Sequence, residues 1–209
     1  MKALTTLLVV GMFLTTVAMG AQAYKKAEKS TETMRKTREE ITKAKTQKDK
    51  TMAALAQLMS QTSGNLQKPY KKFADELKDL EKSSDKVRKL ATDMRAKNQD
   101  YFKAWEKELS EIQNPDLQEK AGQRRAEAVK KFEEVNPKIQ ATRDVFVSFM
   151  ANLQDISSYL SADLSPGGIA TISDMVKETQ DQNKAVDDGI EKVMQALEEF
   201  AAEFSPQTS

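Results

Sequence analysis

The 209-residue chain has no cysteine and no histidine, only 7 glycines and 5 prolines, a single tryptophan and 6% aromatic residues. Each shortage excludes a class of chemistry. Without cysteine there is no disulfide, no thiol nucleophile and no thiolate metal site; without histidine there is no imidazole base and no histidine-held zinc. No Gly-x-x-x-x-Gly-Lys loop is present to cradle a nucleotide phosphate. Helical bundles hold metal pairs between carboxylates with the help of Glu-x-x-His steps, which cannot exist here. The acidic stretch "DQNKAVDDGIE", residues 181–191, lacks the Asp-x-Asn-x-Asp-Gly order of a calcium loop and reads as a solvated helix face. The chain is therefore expected to have no catalytic residues, no cofactor and no metal.

What is present is charge, at 31% of residues, on a background rich in Ala, Glu, Lys, Gln and Leu. Long helices have this composition. Disorder is the alternative for so polar a chain, and it fails because the apolar residues recur with a helical period.

The N-terminus reads separately. "MKALTTLLVVGMFLTTVAMGAQAY" has one charge at Lys2, an apolar run from Leu7 to Leu14, and small residues at Ala21 and Ala23. Residues 1–23 form an expected secretory signal peptide, cleaved between Ala23 and Tyr24. An uncleaved membrane anchor is the competing reading. Threonines 5, 6, 15 and 16 shorten the apolar core and favour cleavage, and no cysteine follows for lipid attachment. The periplasm is the expected destination. Lys2 leaves with the signal, so 33 basic and 32 acidic residues become 32 of each. A neutral mature chain has no electrostatic footprint for nucleic acid. An exported chain without disulfides must be held together by packing.

Turn signals are few and evenly placed. "QTSGN" (61–65) offers Gly64 as a helix stop and Asn65 as the next cap; "QNPD" (113–116) offers Asn114 as N-cap with Pro115 at the first helical position; "LSPGG" (164–168) repeats the pattern with Ser165 and Pro166. Four helices are predicted, at about 24–61, 66–112, 115–163 and 167–204, with residues 205–209 a disordered tail. Each carries an apolar ladder in steps of three and four, as in Phe73, Leu77, Leu80, Val87 and Met94, the spacing of coiled-coil packing.

Folding these ladders back on each other gives a register test. Leu160 with Ile172, Ile156 with Val176, Val135 with Leu197 and Phe132 with Phe200 are all equidistant from Pro166. Phe73 with Ile156 and Leu80 with Phe149 are centred on the Asn114-Pro115 corner, and Leu55 with Tyr70 on Thr62-Ser63. All three centres fall on turns identified independently. The predicted fold is all-α, an elongated antiparallel up-down-up-down bundle of four long helices in one domain, residues 24–204. Charge supports closure: residues 24–54 hold ten basic and five acidic side chains, residues 165–209 nine acidic and three basic. The first and last helices are thus expected to associate.

Pro137, in "EVNPKIQ", lies within the third helix, and a kink competes with a second corner. The ladder keeps phase across it (Phe132, Val135, Ile139, Thr142), which favours a kink. Ser84, Asn98, Thr142, Thr179 and Asn183 are polar ladder positions that fix register or line a wet channel. "SPGGIATI" reads as a turn in preference to an anion site. Trp105 lies on the ladder near the closed end of the second hairpin, opposite Arg124. An indole over that guanidinium, beside the Pro115 corner, is expected to pin the hinge.

Over most of the mature chain, and most visibly from Tyr101 to Ile172, the sequence resembles the bacterial family catalogued as domain of unknown function 2959. The resemblance rests on the aromatic-x-x-Trp-Glu-x-Glu-Leu block (Phe102, Trp105, Glu106, Glu108, Leu109), the pair Arg124 and Arg125, the Asn-Pro region, and the start of the fourth helix (Gly168, Ile169, Ile172). It implies an exported, helical, envelope-associated protein with no known activity. The expected role is non-enzymatic: a structural or protein-interaction protein of the bacterial cell envelope with protein partners or self-association. Two alternatives are a periplasmic holdase that sheathes unfolded clients between helical arms, and a peripheral membrane-binding helical protein. Membrane contact is expected only through an uncleaved signal or weak surface binding.

Overall fold

A computed structural model describes residues 14–61 and 65–204, so the Gly64 stop and the expected 205–209 tail lie outside the described residues. The described residues form helices and turns with no strand. Helix α1 spans Leu14–Met59, α2 Gln67–Leu109, α3 Pro115–Glu133, α4 Val135–Ala162, α5 Pro166–Thr171 and α6 Ser173–Phe204. The 46 residues of α1 extend about 70 Å at 1.5 Å per residue. That helix begins ten residues before the expected start and runs unbroken through the Ala23–Tyr24 bond.

Local chemistry sets the corners. Asn114 is extended (φ −83°, ψ 116°) and its side chain accepts from the Leu117 amide at 3.0 Å, with Pro115 first in α3. Ser165 does the same for α5, accepting from the Gly168 amide at 3.0 Å ahead of Pro166. A side chain at Gly168 would lie 2.2 Å from the Asp163 carbonyl, so the close turn between α4 and α5 needs glycine there. Asn65 accepts from the Gln67 amide at 2.9 Å, but the residue at the cap position of α2 is Leu66, which makes no side-chain cap bond.

The two C-terminal helices expected as continuous are each interrupted once. Between α3 and α4 stands Glu134, still right-handed helical (φ −66°, ψ −19°), its amide bonded to Lys130 and Phe132 carbonyls. The cause lies at Pro137. It has no N–H for the Glu133 carbonyl four residues back, and its ring crowds that oxygen. Phe132 and Val135 are buried on either side and Ile139 packs on the same cluster, so the ladder keeps its phase. Between α5 and α6 the interruption is Ile172 (φ −87°, ψ 2°), and Ile169, Ile172 and Val176 all stay buried across it.

α1 packs along α2 and α4 along α6, while α1 also touches α6, and α2 touches α3 and α4. Cross-helix bonds run in opposite chain directions. On α1 and α2, Ser30 bonds Asn98 and Gln47 bonds Glu76; on α2 and α4, the Tyr70 hydroxyl donates to the Ser157 carbonyl at 3.1 Å; on α4 and α6, Asn152 bonds Gln182. Two apolar clusters result. One joins the end of α1 and start of α2 to α4 and α6 through Leu58, Phe73, Leu80, Phe149, Leu153 and Ile156. The other gathers Met34, Met94, Phe102, Phe132, Leu197 and Phe200 toward the opposite end.

Candidate functional site

Between the two clusters lies a waist where apolar packing thins. No residue of α2 from 81 to 93, nor of α4 from 136 to 148, is fully buried. Here α1 turns a lysine inward. Lys48 is 1% exposed and is the one fully buried charged residue among the described residues. It occupies the heptad step between Ile41 and Leu55, both buried. An ammonium so enclosed must find acceptors, since its desolvation is otherwise uncompensated. Its Nζ lies 2.8 Å from Asp49 Oδ1, 2.5 Å from Asn183 Oδ1 and 3.0 Å from Asp187 Oδ2. Three donors thus meet three acceptors, two of them from α6.

Asp187 is shared. Lys45, one turn before Lys48, places its Nζ 2.9 Å from Asp187 Oδ1 as an ion pair, though that oxygen accepts no aligned hydrogen bond. Burial works to raise the Asp187 pKa, but the Lys48 hydrogen bond and the two close ammonium groups of Lys45 and Lys48 outweigh it and hold the carboxyl below its ordinary value. The close Asp187 carboxylate raises the Lys45 pKa against a smaller effect of burial. Further along, Arg38 pairs with Glu198 at 3.0 Å. The expected association of a basic first helix with an acidic last one is thus made by named pairs.

The polar ladder positions distribute around this layer. Asn183 receives Lys48; Thr179 is buried and donates to the Met175 carbonyl; Asn98 is buried, accepting from Ser30 and donating to the Met94 carbonyl. Thr142 and Ser84 are half-buried and bond carbonyls of their own helices. Two open grooves of about 440 Å³ each flank α6 at the waist. One is floored by Ile41, Ile190 and Met194 beside the Lys45–Asp187 pair; the other runs over Ala141, Ala185 and Gly189. The threonine hydroxyl lining each groove, Thr42 in one and Thr142 in the other, donates to a carbonyl of its own helix, that of Arg38 and Lys138 respectively. Among the described residues, no group of three acids could hold a metal ion.

The expected hinge pin is rearranged. Trp105 is half-buried and stacks on Tyr101, with centroids 5.4 Å apart and planes at 22°. Arg124 is exposed and reaches the other way, its guanidinium 5.7 Å from the centroid of Phe204, while its Nη2 donates to the Glu203 carbonyl. Its long side chain carries the charge past the seam to the end of α6. The neighbouring Arg125 clamps the corner instead, donating from Nε to the Phe102 carbonyl at 3.0 Å and from Nη2 to Glu106 at 2.8 Å. Pro115 is at the first position of α3, as expected. The seam itself is closed by Phe102, Phe132 and Phe200, with Phe102–Phe132 and Phe132–Phe200 centroids 5.9 and 5.4 Å apart at steep angles. At the same end Ala23 is 8% exposed, and its amide donates to Glu108 Oε1 at 2.8 Å, while Tyr24 is 49% exposed.

Lys48 was missed in the sequence because a lysine on an apolar ladder reads as a solvated residue. The heptad spacing to Ile41 and Leu55 was the available signal. No described helix is long and apolar enough to cross a membrane.

These features define an all-α protein of packed helices with a buried lysine paired across the α1–α6 contact. The profile of the family described as "Protein of unknown function (DUF2959)" matches residues 17–204, and the chain belongs to that family. No curated protein and no solved structure matches it.

Proposed function

We propose that this chain is an exported, non-enzymatic structural or protein-interaction protein of the bacterial cell envelope. The observation that carries the non-enzymatic reading is the state of Lys48. The one fully buried charged side chain among the described residues is taken up by Asp49, Asn183 and Asp187, and so serves to hold α1 to α6. The signal-like pattern of residues 1–23 supports export. The large apolar side chains left outside among the described residues are scattered, with Tyr24 on α1, Leu117 on α3, Val147 and Tyr159 on α4 and Met175 on α6. Scattered in this way, they form no continuous apolar lining of the kind that sheathing unfolded clients requires.

The test is fractionation of bacterial cells producing the full chain with a photo-crosslinking residue at Val147 or Leu117. A discrete adduct to one envelope protein, or to a second copy of the chain, is the expected result. Retention of the whole population in the cytoplasm would refute export. A smear of heterogeneous adducts would favour the holdase alternative.

A further inference from the structure

The closed end of the molecule contains an acid with a use for a new positive charge. Glu108, in the last turn of α2, is half-buried and pairs with no Lys or Arg among the described residues. One of its oxygens lies 2.8 Å from the backbone nitrogen of Ala23. Ala23 is the last residue of the expected signal peptide. If the chain is cut after it, the next backbone nitrogen becomes an α-ammonium only one residue, about 1.5 Å of helix rise, further along.

We infer that Glu108 receives the α-ammonium that processing exposes at Tyr24, and so anchors the N-terminus of the mature α1. The inference rests on the proposed cleavage. Three observations give it its geometry. Ala27 and Ser30 are 3% and 2% exposed, and Ser30 Oγ donates to Asn98 Oδ1 at 2.8 Å, so the turns after Tyr24 are seated on α2 and the new terminus is held near Glu108. Cutting a helix exposes unbonded N–H groups and the positive end of its dipole, both of which favour a carboxylate there. Among the other charged and titratable groups at this end, Tyr101 of α2, Arg124 of α3 and the Arg125–Glu106 pair do not replace it. Burial above all raises the Tyr101 pKa and keeps its hydroxyl neutral, while Arg124 is engaged with Phe204 and the Glu203 carbonyl. Processing then adds an ion pair where the precursor has only a peptide N–H.

The experiment uses protein exported and processed by producing cells. Intact mass gives the first residue, and titration of the isotopically methylated α-amine gives its protonation in the wild type, Glu108→Gln and Glu108→Asp. A mature chain beginning at Tyr24 is expected, with its amine titrating at least about half a unit above the ordinary 7.7–8.0 in the wild type. The shift should persist in Glu108→Asp and vanish in Glu108→Gln, whose amine should be acylated about threefold faster at neutral pH. Circular dichroism establishes that each variant is folded; if Glu108→Gln fails to fold, a wild-type amine that titrates within the ordinary 7.7–8.0 overturns the anchor. A chain beginning at Tyr24 whose amine titrates alike in wild type and Glu108→Gln would overturn the anchor alone. A chain that retains its leader, or begins elsewhere, would overturn the processing site and the anchor with it.

Discussion

Removing Asp187 while leaving Lys48 in place is the most informative single perturbation of this molecule. An ion pair at about 3 Å is worth roughly 5 kcal/mol at an effective dielectric near 20, before either ion is desolvated. Breaking a buried pair from one side typically costs about 3–5 kcal/mol, because the surviving charge stays enclosed and unpaired. Two features of the waist reduce that figure. Asp187 keeps 30% of its side-chain surface exposed, and Asp49, at 2.8 Å, remains as a second carboxylate for Lys48. Asp187→Ala is therefore expected to cost about 2–3 kcal/mol. Lys48→Met removes the buried charge and keeps an unbranched chain of similar length, while Asp187 retains Lys45 at 2.9 Å. Exchange of a buried charge for an apolar side chain is often neutral, so this variant should lie within about 1 kcal/mol of the wild type.

The double variant decides the matter. With Lys48 gone, loss of Asp187 strands no buried charge, so the pair should be less destabilised than Asp187→Ala alone. The expected coupling is at least about 1.5 kcal/mol, well above the scatter of additive sites. Urea unfolding followed by helical circular dichroism measures all four proteins, with equal slopes required for comparison. The reasoning is refuted if Asp187→Ala falls within about 0.5 kcal/mol of the wild type, or if the double variant is the least stable of the four.

Three further outcomes are expected. Because the folded-state pKa of Asp187 lies below its unfolded value near 3.8, its contribution is complete above that value and is lost as pH falls through the depressed folded value. The stability gap between wild type and Asp187→Asn should accordingly be full at pH 7 and shrink as pH falls below the ordinary carboxylate range; a gap independent of pH would contradict it. A Cβ at Gly189 would lie 2.7 Å from Thr142 Oγ1, so Gly189→Ala should lower the melting temperature despite alanine's helix preference of about 1 kcal/mol, and Thr142→Ala should restore it. Phe102→Ala, at the buried seam, should cost about 3–5 kcal/mol and half-buried Trp105→Ala only about 2 kcal/mol, by the same unfolding assay; the reverse order would return the hinge-pin role to Trp105.

Legibility in the sequence followed the range of the interaction. The corners at Asn114-Pro115 and Ser165-Pro166 were readable because a cap and its amide lie three residues apart, and the bond is local. The ladders were readable because burial repeats along each helix. The interruption at Glu134 was harder, since the effect of Pro137 falls on a carbonyl four residues upstream of the proline that causes it. The exchange of roles between Arg124 and Arg125 turned on a single helical step of about 100°, combined with a side chain long enough to leave the seam. Least readable was Lys48, whose partners Asn183 and Asp187 are 135 and 139 residues away.

That remoteness also bears on why the layer exists. Apolar ladders with a seven-residue repeat can slide by one repeat and still bury leucine against isoleucine, so they specify partners better than they specify register. The waist does not tolerate the slide. Moving α6 by seven residues one way would replace Asn183 and Asp187, opposite Lys48, with Ile190 and Met194; moving it the other way would bring Val176 and Gln180. In neither position does α6 offer a carboxylate, and a fully enclosed ammonium would lose its compensating charge from α6. Sliding α1 and α2 meets the same obstacle at Ser30 and Asn98, where a buried hydroxyl would lose its amide partner. An all-apolar waist would hold the helices together about as well, but it would leave several alignments close in energy. The buried lysine makes one alignment cheaper than its neighbours, which is the function that a polar residue on an apolar seam performs best.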